Sequence, residues 1–281
     1  MIRELNKDTA IQFLIILAAF CALYSRTILK LVNDWSIDPN FSHGFLIPFV
    51  ALYMIWHNKD SLKRIESRPY SPGIAVIIIG MLAYIAGNLG AELFVQRISM
   101  LITLFGVVLF IFGIQMSKGL LVPLAYLLLM IPIPAIIWNK IAFPLQLFAA
   151  ARASELVSMI GIPVFREGNI LHLANTSLEV VDACSGIRSL TSLLALSGAF
   201  AYIAKAKKLS RWVLFLSAIP IAVAVNVIRL TVTAGAAVWI GPETAHGTVH
   251  EMAGLIVFAA ALILLYLVFL TIMKLERIKW K

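Results

Sequence analysis

Three short stretches of this 281-residue chain hold side chains that could do chemistry together. They are Asp182-Ala183-Cys184-Ser185-Gly186-Ile187-Arg188, then Asn226-Val227-Ile228-Arg229, then the histidines His246 and His250 around Gly247-Thr248-Val249. A thiol, a base and a cation are the parts of nucleophilic acyl transfer. The thiolate attacks a carbonyl, an imidazole moves the proton, and a guanidinium holds the oxyanion or a substrate carboxylate. A free Cys is only about 3% thiolate at neutral pH, but a helix N-terminus and a nearby cation lower its pKa. Cys184 is offered both, because a helix is expected to begin near it and Arg188 follows one turn on. Asp182 would oppose that shift if it faced the sulfur. Asn226 stands three residues before Arg229, on the same helical face, where its amide can orient the guanidinium.

The elements that must position these groups follow from composition. With 61% hydrophobic and 13% charged residues, the chain would leave large apolar patches facing water if it were a soluble domain. Disorder, a collagen repeat and a disulfide scaffold are excluded as well, the last because only Cys21 and Cys184 are present. The natural solvent is a bilayer, and membrane lipids are the first expected partners. Windows of ~20 residues mark eight expected transmembrane helices. They lie near 11–30, 43–57, 74–91, 98–116, 119–133, 184–204, 212–234 and 251–273. The apolar run from Ile11 is read as the first span rather than a cleaved signal, because no A-x-A-like site follows it. Pro134, Pro144 and Pro163 punctuate residues 134–160, and Lys140, Arg152 and Glu155 interrupt its apolar face. That segment is expected to be amphipathic or re-entrant on one membrane surface. Residues 164–183 carry two β-prone runs and the turn signals Glu167-Gly168-Asn169 and Ala174-Asn175-Thr176-Ser177, which predict a small β-hairpin on the outer face. The fold class is thus an all-α polytopic membrane protein, one integral-membrane domain over residues 1–281.

The net charge of +9 records orientation rather than a nucleic-acid partner, since no basic, aromatic-interleaved groove is present. If the N-terminus is cytoplasmic, the inside segments hold fifteen of the 23 basic residues: Arg3 and Lys7, four in 59–68, Lys118, four in 205–211, and four from Lys274 onward. Both termini are therefore expected in the cytoplasm of a multi-pass plasma (bacterial inner) membrane protein. Cys184, Arg229 and the His246/His250 pair then fall at the outer face together. Other polar residues have plainer readings. Cys21, mid-helix among Ala and Leu, reads as a small core hydrophobe. His43 and His172 read as structural, and no third ligand accompanies His246 and His250, so neither a metal nor a cofactor is expected. Trp35, Trp56, Trp138 and Trp239 read as interfacial anchors. Competing functions for such a chain are a polytopic acyl- or glycolipid-transferase acting on a lipid phosphate, and a non-enzymatic transporter with Arg229 at an anion site.

The three blocks, with Gly254 and Phe258 behind His250, resemble the signatures of the exosortase/archaeosortase family. Phe41-Ser42-His43-Gly44-Phe45 and Phe165-Arg166-Glu167-Gly168 are similar to that family too. The resemblance implies a membrane-embedded cysteine transpeptidase. Its substrates would be exported proteins ending in a sorting signal: a short motif such as Pro-Glu-Pro (the PEP-CTERM type), a transmembrane helix and a basic cluster. Cleavage near the motif would pass through a Cys thioester, and the new C-terminus would go to an acceptor such as a cell-surface glycan or lipid, in bacteria often linked to exopolysaccharide. By this match Cys184 is the nucleophile, Arg229 the catalytic arginine and His250 the general acid/base, with Arg188 and Asn226 in support. His250 is preferred over His246 because it stands four residues before Gly254, in the family's His-x-x-x-Gly arrangement.

Overall fold

The computed structural model describes residues 7–180, 187–204, 206–245 and 247–276. They form two compact units, Met1–Ile133 and Pro134–Lys281.

The first unit contains α1 (Lys7–Ile37), a 3-10 turn at Pro39–Phe45, α2 (Ile47–His57), the short α3 (Lys59–Leu62), α4 (Gly73–Leu89) and α5 (Leu93–Tyr126). Pro72 precedes α4 and fixes its entry. α4 presents Gly73, Gly80 and Gly87, spaced by seven, to α5. A Cβ at these positions would stand within 3 Å of Phe110, Thr103 and Gln96, so the two backbones touch. Within α5, Gly113 has φ 80° and ψ −178°, and there the helix folds back on itself. Arg97 pairs with Asp34 and the Trp35 indole N–H donates to the Met130 carbonyl at 2.8 Å. Asp34 and Trp35 are neighbours, whereas a straight helix would hold Arg97 and Met130 about 50 Å apart. The two arms match the expected spans 98–116 and 119–133. The turn is at Gly113 rather than near Lys118, because only a glycine admits the Arg68 carbonyl, which takes the place a Cβ would occupy.

The second unit is α6 (Ala135–Met159), a sheet of β1 (Val164–Glu167), β2 (Ile170–Leu173) and β3 (Ser177–Glu179), then α7 (Ile187–Ile203), α8 (Lys208–Trp239) and α9 (Gly247–Leu275). One apolar cluster joins α7, the N-terminal half of α8 and the C-terminal half of α9 through Leu193, Ala218, Ala222, Leu265 and Phe269. A second joins the other half of α8 to α6 and the sheet through Val227, Leu230, Ala234, Ala150, Leu171 and Val180. Glu276, just past α9, accepts a hydrogen bond from the Lys207 N–H at 2.9 Å and another from the Ser210 hydroxyl. It thereby caps the start of α8 with an anion from the neighbouring helix.

Several expectations change. Among the described residues, four helices are long and apolar enough to cross a bilayer: Leu14–Ile37, Leu93–Met130, Lys208–Trp239 and Met252–Leu275. α2, with 11 residues, is shorter than a straight crossing requires. The fold is a polytopic helical membrane protein, without eight full-length spans being shown. Residues 134–160 hold one continuous helix passing through Pro144, with no reversal, so the re-entrant alternative does not hold. The hairpin is a three-stranded antiparallel sheet, because the second turn signal starts another strand rather than ending the motif. Cys21 is exposed on α1 rather than in a core. Trp35 and Trp138 are buried at 7% exposure, where Trp56 and Trp239 are exposed as anchors would be.

Two measurements test these contacts. The Gly113 conformation is one that essentially only glycine adopts, so Gly113→Ala should cost ~3 kcal/mol or more in thermal unfolding of the detergent-solubilised protein. Gly119→Ala, which meets only the flexible end of Leu62 at 2.9 Å and of Ile65 at 3.3 Å, is the control, and equal melting of the two would contradict the turn. Hydrogen bonds from the Ser210 hydroxyl and then the Lys207 N–H hold the Glu276 carboxyl below its usual pKa. A depressed folded pKa gives stability that is complete above the ordinary carboxylate value and is lost as pH falls through the folded one. Glu276→Gln should therefore melt below wild type at pH 7, with the gap closing as the pH drops below about 4.

Candidate active site

Helix lengths in the second unit decide which residues share a depth. α7, α8 and α9 have 17, 32 and 29 residues. Their alignment is fixed near one end by Glu276 on the start of α8 and by the Ser197 hydroxyl, which donates to the Phe215 carbonyl at 3.2 Å. Counting equal rises from that end, Ile187, the first described residue of α7, comes level with about Ala224 of α8, and Gly254 of α9 comes level with Arg229. The second correspondence is seen directly: a Cβ on Gly254 would lie 3.7 Å from Arg229 Nη1. The contact places Arg229 one helical turn from the backbone of His250, the fourth residue of α9.

Arg229 and Asn226 are both buried, at 7% and 3% exposure. With Thr233, 6% exposed, they form a polar stripe along α8 at helical spacing, which begins where one apolar cluster gives way to the other. Thr233 was not singled out from the sequence. Its signal was the spacing of 3 and 4 residues that continues the Asn226 and Arg229 face. Arg188 is the second residue of α7. The half of α8 that carries the stripe packs against α6 and the sheet. Cys184 and His246 lie outside the described residues, and only the backbone of His250 is described.

The two remaining histidines singled out from the sequence have contacts of their own. His43 Nε2 lies 3.2 Å from the Leu129 carbonyl, and His172 Nε2 lies 3.1 Å from Glu167 Oε2 on the sheet. Among the described residues no three His, Cys, Asp or Glu side chains stand together as a metal cage.

Residues 35–267 match the family described as transmembrane exosortase. No curated protein and no solved structure matches the chain.

The Gly254 contact makes a size-dependent prediction. A methyl group at 3.7 Å from Nη1 is ordinary contact and gains helix propensity, so Gly254→Ala should melt at or above wild type. A Leu side chain would take the guanidinium's place, and Gly254→Leu should lose ~1–3 kcal/mol. If Leu is tolerated as well as Ala in thermal unfolding, Arg229 does not pack there.

Proposed function

The chain belongs to the transmembrane exosortase family, and from that premise we propose that it is a membrane-embedded cysteine transpeptidase. Cys184 is its nucleophile, Arg229 stabilises the oxyanion or holds a substrate carboxylate, and His250 moves the proton. Arg188 and Asn226 assist, the first by favouring the thiolate and the second by orienting Arg229. The observation that supports the reading is the contact of the buried Arg229 with Gly254, one turn from the backbone of His250.

In this reading the Cys184 thiolate adds to the carbonyl of the scissile peptide bond, and the oxyanion forms beside Arg229. The carbon–nitrogen bond breaks as His250 delivers a proton to the leaving amine, and an acyl thioester remains on Cys184. An acceptor nucleophile gives its proton to His250 as it attacks the thioester, and the Cys184 thiolate leaves. Water in place of the acceptor gives proteolysis. The substrate is an exported protein whose C-terminus carries a short motif such as Pro-Glu-Pro, an apolar helix and a basic cluster. The acceptor is a cell-surface glycan or lipid. The basic residues of 59–68 and 205–211 support cytoplasmic termini and a site at the outer face of the bacterial inner membrane.

The test is processing of an exported reporter with such a C-terminus, co-expressed with the full-length protein. Cys184→Ala should abolish cleavage, and His250→Ala should lower it by about 10²-fold or more. Arg229→Lys, which keeps the charge and loses the planar fork, should fall at least about tenfold. Reporter processing at the wild-type rate by Cys184→Ala would overturn the thiol mechanism.

A further inference from the structure

The two edges of the sheet are not equivalent. β1 packs against α6, whereas no strand among the described residues pairs with the far side of β3. The register fixes which main-chain groups face that open side. The Val180 N–H donates to the Asn169 carbonyl at 2.9 Å and the Leu173 N–H to the Thr176 carbonyl at 2.8 Å. In an antiparallel ladder such pairs alternate, so Thr176, Leu178 and Val180 turn their main chain to β2. Ser177 and Glu179 turn theirs outward. Their side chains are exposed, while Leu178 and Val180 are buried beneath the sheet. β3 carries no proline, lysine or bulge of the kind that closes a natural edge.

Two further facts connect this edge to the site. Leu178 and Val180 belong to the same packed cluster as Val227 and Leu230, which bracket Arg229 on α8. Val180 also precedes Cys184 by four residues, a reach of at most ~14 Å.

We propose that the open edge of β3 binds the extended segment of the substrate beside its scissile bond, as a fourth strand. The proposal rests on the reading of Cys184 as nucleophile and says how that nucleophile is presented with its bond. A peptide bond inside a helix has its carbonyl hydrogen-bonded and wrapped by neighbouring side chains, so the segment at the thiol has to be unwound. At a membrane surface, unwinding strips main-chain groups of their partners where water is scarce, which is costly. The outward N–H and C=O groups of Ser177 and Glu179 replace them. Main-chain pairing of this kind gives affinity largely independent of side chains, as in other strand-addition complexes.

The experiment uses the full-length protein in detergent, with Cys21→Ser so that Cys184 is the single thiol, and the reporter described above as substrate. Proline at position 179 removes one outward N–H yet is compatible with an edge strand whose N–H faces away from its partner. Glu179→Gln changes the same side chain and keeps the N–H. Relative to Glu179→Gln, Glu179→Pro should lower kcat/KM for the reporter by about tenfold, the loss of one hydrogen bond in a water-poor setting. Iodoacetamide should alkylate Cys184 equally fast in both, which separates substrate docking from damage to the sheet. Equal kcat/KM within about twofold would overturn the proposal. If alkylation shows that the proline variant does not fold, a photo-crosslinking residue decides: adducts with the reporter from position 179 and not from position 165 on β1 support the edge, and the reverse overturns it. Processing that survives Cys184→Ala would instead strike the parent reading.

Discussion

A guanidinium held inside an apolar helix bundle constrains everything packed around it. Charged side chains inside membrane helices are costly, and Arg229 is 7% exposed on a helix whose 32 residues contain no acid. The bundle accommodates it by dividing its apolar contacts. One cluster takes the α8 residues before Asn226 and the other those interleaved with and beyond Arg229, and the facing helix contributes a glycine where a larger side chain would displace the charge. Beyond the first cluster, α8 packs on α6 through the small Ala149, Ala150, Ala153 and Val157 face of that helix.

In the first unit Arg97, 3% exposed, is paired with Asp34 on the adjacent helix. Tyr24 hydrogen-bonds Thr103 at 2.9 Å further along the same two helices. These contacts hold α1 against the first arm of α5, while Trp35 and His43 bind main-chain carbonyls at the end of the second arm. These polar contacts tie the helix hairpin to its neighbours, which is the signature of a structural role.

How far the sequence could be read depended on the range of the interaction behind each feature. Hydropathy located the helical segments, because burying apolar surface is a property of a window of residues, and turn residues marked both ends of β2. The turn at Gly113 was missed because its cause is a close approach by Arg68, 45 positions away. Trp35 and Trp138 were misread for a similar reason: a tryptophan near a span end looks like an anchor until a partner from elsewhere covers it. At the site, the motif spacing put Asn226 and Arg229 on one face. It could not supply the Gly254 contact, which depends on how α8 and α9 are aligned. Thr233 was legible in principle, since it continues the helical spacing, but a threonine in an apolar helix is ordinary without knowledge of its burial.

The same alignment bears on the balance between transfer and hydrolysis in the proposed reaction. α8 is ~48 Å long, well beyond the ~30 Å of a bilayer's hydrocarbon core, so part of it stands outside the lipid. The part beyond Arg229 is wrapped by α6 and the sheet rather than by lipid-facing helix. A thioester formed at the level of Arg229 would sit at the lipid boundary beneath that protein cover. Water reaches such a place poorly, and an acceptor that is itself anchored to the membrane arrives there already confined to the right depth. Confinement raises the acceptor's effective concentration without any new contact, while the cover lowers that of water. In the proposed reaction, a thiol held at that level would favour a membrane-bound acceptor over hydrolysis before any specific recognition of the acceptor is added.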